Sequence, residues 1–185
     1  TWEKSVFEVY QAASLPWEWT APLADHAKEI GIEFMSAPYD FGAIAHPDPF
    51  VNAYKIGSGD INWLEELEVV AGLGKPIIVA TGAATWEDVQ RTMDMLLPTG
   101  LPLVLMQCNT NYEGSLANIH HVNLRVLQQY AREFPTVTLG LSDHTPGHLT
   151  ALGAVALRPL VVENHFTDDS ILPGPDPGFS MHPVT

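Results

Sequence analysis

The chain has 185 residues, 46% of them hydrophobic, which is enough to bury one sizeable core. Its 22 Asp and Glu outnumber its 8 Lys and Arg for a net charge of −14, which argues against a nucleic-acid or anionic-membrane surface but leaves room for a small anionic ligand. No apolar run reaches the roughly 18 to 20 residues of a membrane span; "TWEKSVFEVY" lacks the pattern of a signal peptide, and the single Cys108 admits no internal disulfide, so the reading is a cytoplasmic protein.

In chain order, "TAPLADHAKEIG" predicts a helix with Thr20 as N-cap, Pro22 in its first turn and Gly31 as its stop. A strand follows in "IEFMSAPYD" from Ile32, a second in "AYKIGSGD" from Ala53, then a helix in "NWLEELEVVAGLG". The strand "PIIVATG" from Pro76 leads to "TWEDVQRTMDMLL", a helix opened by a capping-box pair, Thr85 and Asp88, and stopped at Pro98. "LPLVLMQCN" from Leu101 is a strand, and "ANIHHVNLRVLQQYAREF" a helix ending before Pro135. "VTLGLSDHT" from Val137, "TPGHLTALGAVAL" and "LVVENHFT" from Leu160 complete the series as strand, helix and strand. The strand centres are continuously apolar, as in parallel strands covered by helices, and the alternation reads as successive βα units in one domain.

An open doubly wound sheet and a (β/α)8 barrel both fit that alternation. An open sheet concentrates its chemistry at one switch point, whereas a barrel gathers the C-terminal ends of all its strands at one mouth. Here nearly every predicted strand ends in polar residues: Tyr39 and Asp40; Lys55, Ser58 and Asp60; Thr81; Gln107, Asn109, Thr110, Asn111 and Tyr112; Ser142, Asp143 and His144; Glu163 and His165. The expectation is therefore an α/β chain in a (β/α)8 TIM barrel, with six of the eight strands in view.

At these strand ends the sequence resembles the sialic acid synthase family, through "YKIGSGDI", "GKPIIVATGAAT", "LMQCNTNYEGSLAN", "NLRVLQ", "FPTVTLGLSDHTPGH", "ENHFTDD" and "GPDPGFSM" in that order. The early "VYQAASLPWEW" is similar to members that make bacterial nonulosonic acids. The resemblance implies that residues 1–185 are a partial TIM-barrel synthase domain holding strands three to eight. The first two strands and a C-terminal antifreeze-like domain would be absent, and the longer parent would be a homodimer. It also implies the reaction: phosphoenolpyruvate condenses with an N-acyl-mannosamine-type amino sugar, and phosphate leaves by C–O cleavage.

Such a site must polarise an aldehyde, hold two anionic groups and deliver water, the first and last being tasks suited to a divalent metal. The resemblance implies His144 and His165 as metal ligands, with Mn2+ expected first and Mg2+ or Co2+ as alternatives. It implies Lys55, Ser58, Thr81, Thr110 and Ser142 as residues that bind phosphoenolpyruvate, and Asp60, Tyr112, Asp176 and Glu163 as catalytic residues around the sugar. A lysine inside "YKIGSG" is costly in a barrel unless it faces an anion or pairs, for which Asp60 is the near candidate. Asp143 is expected to orient His144, and Pro146 and Gly147 to start the covering helix. Cys108 has no activating neighbour in sequence and reads as core.

Four positions depart from the family pattern: Ala37 after Ser36, Ala80 before Thr81 and Gly82, Asn164 where lysine is usual, and Pro177 where histidine is usual. Two other readings stay open, a non-catalytic relic of such a synthase and a different metal-dependent barrel lyase or aldolase. A Schiff-base aldolase would have to use Lys55.

Overall fold

The computed structural model describes residues 5–112, 114–169, 171, 176 and 178–183. All six predicted strands form: β1 (Met35–Ser36), β2 (Ala53–Ile56), β3 (Ile77–Ala80), β4 (Leu103–Cys108), β5 (Thr138–Asp143) and β6 (Val161–Asn164). They make one sheet in the order β1-β2-β3-β4-β5-β6, every neighbouring pair parallel. The described helices are α1 (Val6–Ala13), α2 (Thr20–Ile30), α3 (Phe41–Ala45), α4 (Leu64–Gly72), α5 (Trp86–Leu96), α6 (Val126–Glu133) and α7 (Leu149–Val155). None of the helices is long and apolar enough to cross a membrane.

Alternation along each strand sorts the sheet into two faces. Tyr54, Ile56, Val79, Leu105, Leu139 and Leu141 join one buried cluster with Leu67, Val70, Met93, Leu96 and Leu127 of the helices. The main core therefore lies between the sheet and its helical cover. The opposite parity, Lys55, Ala80, Met106, Cys108, Ser142 and Glu163, faces the other way, and one contact shows that this face is concave. Lys55 Nζ on β2 donates to Glu163 Oε1 on β6 at 2.6 Å. In a flat sheet four strand spacings of about 4.8 Å would hold these strands roughly 19 Å apart, beyond the reach of both side chains.

The register gives the curvature a measure. Lys55 is level with Ile78, Ile78 with Val104 and Val104 with Thr138, and the Gly140↔Val161 pairing puts Thr138 level with position 159 of the next strand. The side chain nevertheless meets residue 163, four positions further on across four strand steps. One residue of stagger per strand is the geometry of an eight-stranded barrel of shear eight. β1 and β6 are the edges of the described sheet, and Met35 and Val162 are 46% and 40% exposed there.

Three local expectations change. Thr20 is the first residue of α2 rather than its cap, because a 3-10 turn at Trp17–Trp19 runs straight into the helix. The predicted helix before Pro135 is broken: a 3-10 turn at Leu116–His121 and extended Val122 precede α6. Buried Asn118 lies in that turn, and its amide donates to the Asn111 carbonyl at 2.6 Å, a loop bond that competes with helix formation. Pro146 and Gly147 lie before α7, which begins at Leu149 behind His148. The Thr85–Asp88 capping box opens α5 as read from the sequence.

Candidate active site

The tips of β2, β4, β5 and β6 meet on the concave face. Glu163 is the hub: its Oε1 accepts from Lys55 Nζ at 2.6 Å and from Ser142 Oγ at 3.0 Å. Ser142 and Glu163 are register partners on β5 and β6, so the strand pairing itself sets the second contact. Lys55 thus pairs with Glu163, not with the sequence neighbour Asp60. The Asp60 carboxylate instead folds over Gly57, where Oδ2 comes within 2.7 Å of the position a Cβ would take. Burial there pushes its pKa up.

Beside Glu163, the imidazoles of His144 and His165 lie 5.0 Å apart, centroid to centroid, at 63°. His144 is 2% exposed, and its Nδ1 lies 2.9 Å from the Asn109 carbonyl oxygen. A carbonyl only accepts, so Nδ1 carries the proton and Nε2 keeps its lone pair. Burial, then the neighbouring His165, holds the His144 pKa below its ordinary value, which favours the neutral ring. His165 Nδ1 lies 3.3 Å from Asp176 Oδ2. Each ring thus has one nitrogen beside an oxygen, the arrangement that orients a histidine for a metal. Among the described residues no group of three or more His, Cys, Asp or Glu forms a metal-binding set.

Aromatic rings wall this pair. Tyr112 packs on His144 at 4.2 Å and lies 5.9 Å from His165, while Phe179, 3% exposed, lies 5.0 Å from His165 and 5.8 Å from Tyr112. Burial pushes the Tyr112 phenol up to about 12, so it meets a ligand as a proton donor. Thr110 Oγ1 donates to Ser58 Oγ at 3.2 Å, joining two more of the expected anion-binding residues. Tight packing behind them demands a glycine. A Cβ on Gly82, which has φ +51°, would stand 2.3 Å from Thr110 Oγ1 and 2.9 Å from the Ser58 carbonyl oxygen.

Two expectations fail on parity. Thr81 does not join the concave face: it is 3% exposed, donates to the Met106 carbonyl at 3.0 Å and interacts with Tyr130 of α6. Asp143 likewise points to the helical side, where its Oδ1 accepts from the Thr145 backbone N–H at 3.0 Å and the Thr145 hydroxyl at 2.8 Å. His144 is oriented by a backbone carbonyl instead, a partner with no side-chain signal in sequence. Asn118 was also missed; it accepts from Asn109 Nδ2 at 2.8 Å and so braces the loop that carries that carbonyl. Phe179 could have been flagged as the aromatic in "GPDPGFSM". Cys108 is 4% exposed and burial pushes its thiol up, in keeping with a core role. The departure at Pro177 lies outside the described residues.

Comparison with known proteins places this arrangement. The chain is 37% identical over 183 residues to N,N'-diacetyllegionaminic acid synthase of Legionella pneumophila, a match covering 96% of this chain and 50% of that protein. It is 34% identical over 184 residues to the spore coat polysaccharide biosynthesis protein SpsE of Bacillus subtilis, covering 97% of this chain and 48% of that one. Among solved structures, the N-acetylneuraminic acid synthetase of Leptospira borgpetersenii, crystallised with citrate, superposes with a TM-score of 0.89 at 25% identity, over 96% of this chain and 61% of its own. The chain spans about half the length of the curated relatives it matches. Residues 1–185 match the NeuB family throughout, and the chain belongs to that family.

Proposed function

We propose that this chain is the barrel part of a longer cytoplasmic synthase that condenses phosphoenolpyruvate with an N-acyl-mannosamine-type sugar to give a nonulosonic acid and phosphate. The observation that carries the reading is the convergence of Lys55, Ser142 and Glu163 on the concave face, beside the His144 and His165 imidazoles. The names of its relatives support the reaction class. In the condensation, C3 of phosphoenolpyruvate forms a bond to the sugar's aldehyde carbon, water adds oxygen at C2, and the C2–O bond to phosphate breaks.

In this reading the Lys55 ammonium, with the Ser142, Ser58 and Thr110 hydroxyls, receives the carboxylate and phosphate of phosphoenolpyruvate. Glu163 holds Lys55 in place from the opposite strand. Tyr112 donates to an oxygen of the acceptor, the Asp60 carboxylate accepts from its hydroxyls, and Asp176 fixes His165 while facing the same space. His144 and His165 fit a two-imidazole centre completed by water or substrate oxygens, with manganese expected first and magnesium or cobalt as alternatives. When bound, such an ion supplies Lewis-acid polarisation of the carbonyl.

The test is phosphate release with phosphoenolpyruvate, manganese and a panel of N-acyl hexosamines, run on the full-length protein that contains this chain. Sugar-dependent release is expected, and His144→Ala should lower it by about 100-fold or more. A folded, metal-loaded protein that releases no phosphate with any sugar would overturn the reading in favour of a relic or a different barrel lyase.

A further inference from the structure

Tyr39 stands at the tip of β1, and the function proposed above leaves it without a task. The chain fixes it from both sides: β1 ends at Ser36, and Asp40 caps α3 by accepting from the Ala43 backbone N–H at 2.7 Å. From there the ring reaches over the tip of β2. A Cβ on Gly57 would stand 3.6 Å from Tyr39 Cε1 and 2.7 Å from Asp60 Oδ2. Phenol and carboxylate therefore converge above one backbone position, and the glycine beneath them leaves room for both. The loop that carries the carboxylate is itself closed, since the Asp60 N–H donates to the Gly57 carbonyl at 3.0 Å.

The pair complements one kind of group. Tyr39 is 71% exposed, so a ligand can reach it. Partial burial, then the Asp60 carboxylate, pushes its pKa up, and the phenol meets a ligand as a proton donor. Its charge is felt at Tyr112, so the two phenols border the same mouth. Asp60, as a carboxylate, only accepts. A sugar hydroxyl satisfies both at once, taking the phenol's hydrogen bond on its oxygen and giving its own proton to Asp60. A phosphate dianion has no proton to give and meets Asp60 as a like charge. Among the described residues no lysine or arginine acts on Tyr39 or Asp60, and Lys55 is held by Glu163.

We infer that Tyr39 is a specificity-determining residue of the mouth: its hydroxyl donates to a hydroxyl oxygen of an uncharged amino sugar whose proton Asp60 accepts, and the pair turns away a sugar phosphorylated at that end. That this sugar is the acceptor rests on the condensation proposed above. The imidazoles lie at the tips of β5 and β6 and the Tyr39–Asp60 pair at those of β1 and β2. An aldehyde held beside the imidazoles thus leaves the hydroxyl-bearing remainder of the sugar to reach Tyr39.

The experiment titrates the full-length protein that contains this chain calorimetrically with N-acetylmannosamine, N-acetylglucosamine and N-acetylmannosamine 6-phosphate, then measures KM values by phosphate release. A neutral sugar is expected to bind, and Tyr39→Phe to weaken it about tenfold, with the same rise in its KM and no change in the KM for phosphoenolpyruvate. Phenylalanine keeps the ring, so a purely packing role would leave the sugar affinity unmoved. The phosphorylated sugar should bind about tenfold more weakly than its neutral counterpart, and Asp60→Asn should narrow that gap. Unchanged sugar affinity in Tyr39→Phe, a phosphorylated sugar bound as tightly as the neutral one, a gap untouched by Asp60→Asn, or no binding of either neutral sugar would overturn the inference. Phosphate release with unaltered sugar affinity in Tyr39→Phe would remove this role and leave the condensation standing, whereas Tyr39-dependent binding without phosphate release would do the reverse.

Discussion

Glu163 and Glu66 are both glutamates drawn out of bulk water near the strand tips, yet their surroundings differ completely. Glu163 accepts from Lys55 and Ser142 at the centre of the mouth. Glu66, in the first turn of α4, is 0% exposed, and among the described residues neither of its oxygens has a hydrogen-bond partner. Burial, then the carboxylates of Asp60 and Asp40, pushes its pKa up to about 7. The pair shows what a buried carboxylate needs from its neighbours. A cation and a hydroxyl surround Glu163, while the lack of both makes Glu66 hold its proton toward neutrality.

Removing Glu66 should give the largest effect. Its folded pKa is raised above the ordinary 4.5 to about 7, so folded and unfolded chains are both protonated below about pH 4.5. Between there and pH 7 the unfolded chain gives up the proton first, and stability falls as pH rises. Glu66→Leu is therefore expected to be more stable than the parent chain by about 3 kcal/mol at pH 8, with that ionisation-linked gain vanishing near pH 4. Urea unfolding at the two pH values measures it, and a gain of equal size at both would show that Glu66 is not held neutral.

Breaking the paired member should have the opposite sign. Lys55→Met strips Glu163 of its cation, and because these side chains keep 21% and 31% of their exposure the expected loss is about 2 kcal/mol, below that of a fully buried pair. Adding Glu163→Gln to Lys55→Met should restore part of that loss, since no stranded charge remains; a double variant as unstable as the sum of its parts would show the two do not interact. Smallest is Thr85→Ala, which removes the capping box of α5 and should cost about 1 kcal/mol with no change in ligand binding. A change in substrate affinity there would mean that α5 positions the mouth more directly than its packing indicates.

Much of the architecture was legible because it depends on local patterns. Parallel strands buried on both sides must be apolar through their centres, so all six stood out, and polar residues crowding their C-terminal ends marked the mouth. Helix ends were legible where a side chain closes a local bond, as at Thr85 and Asp88. The same rule could have revealed α1, since Ser5 and Glu8 form a capping box visible as "SVFE". It failed at Asn118, whose partners lie in the neighbouring loop rather than within its own turn.

Residue identity and spacing thus carried the strands, the histidines at their tips and the family, because each is a property of a short stretch of chain. The partner of Lys55 was another matter: Glu163 lies 108 residues away and comes within reach only when four strand steps curl with one residue of stagger apiece. The outward turn of Thr81 and Asp143, and the carbonyl that orients His144, likewise depend on which face each strand presents once its neighbours are paired. Hydrogen-bond partners across a curved sheet are set by register and curvature, and those are properties of the assembled sheet, which no single strand contains.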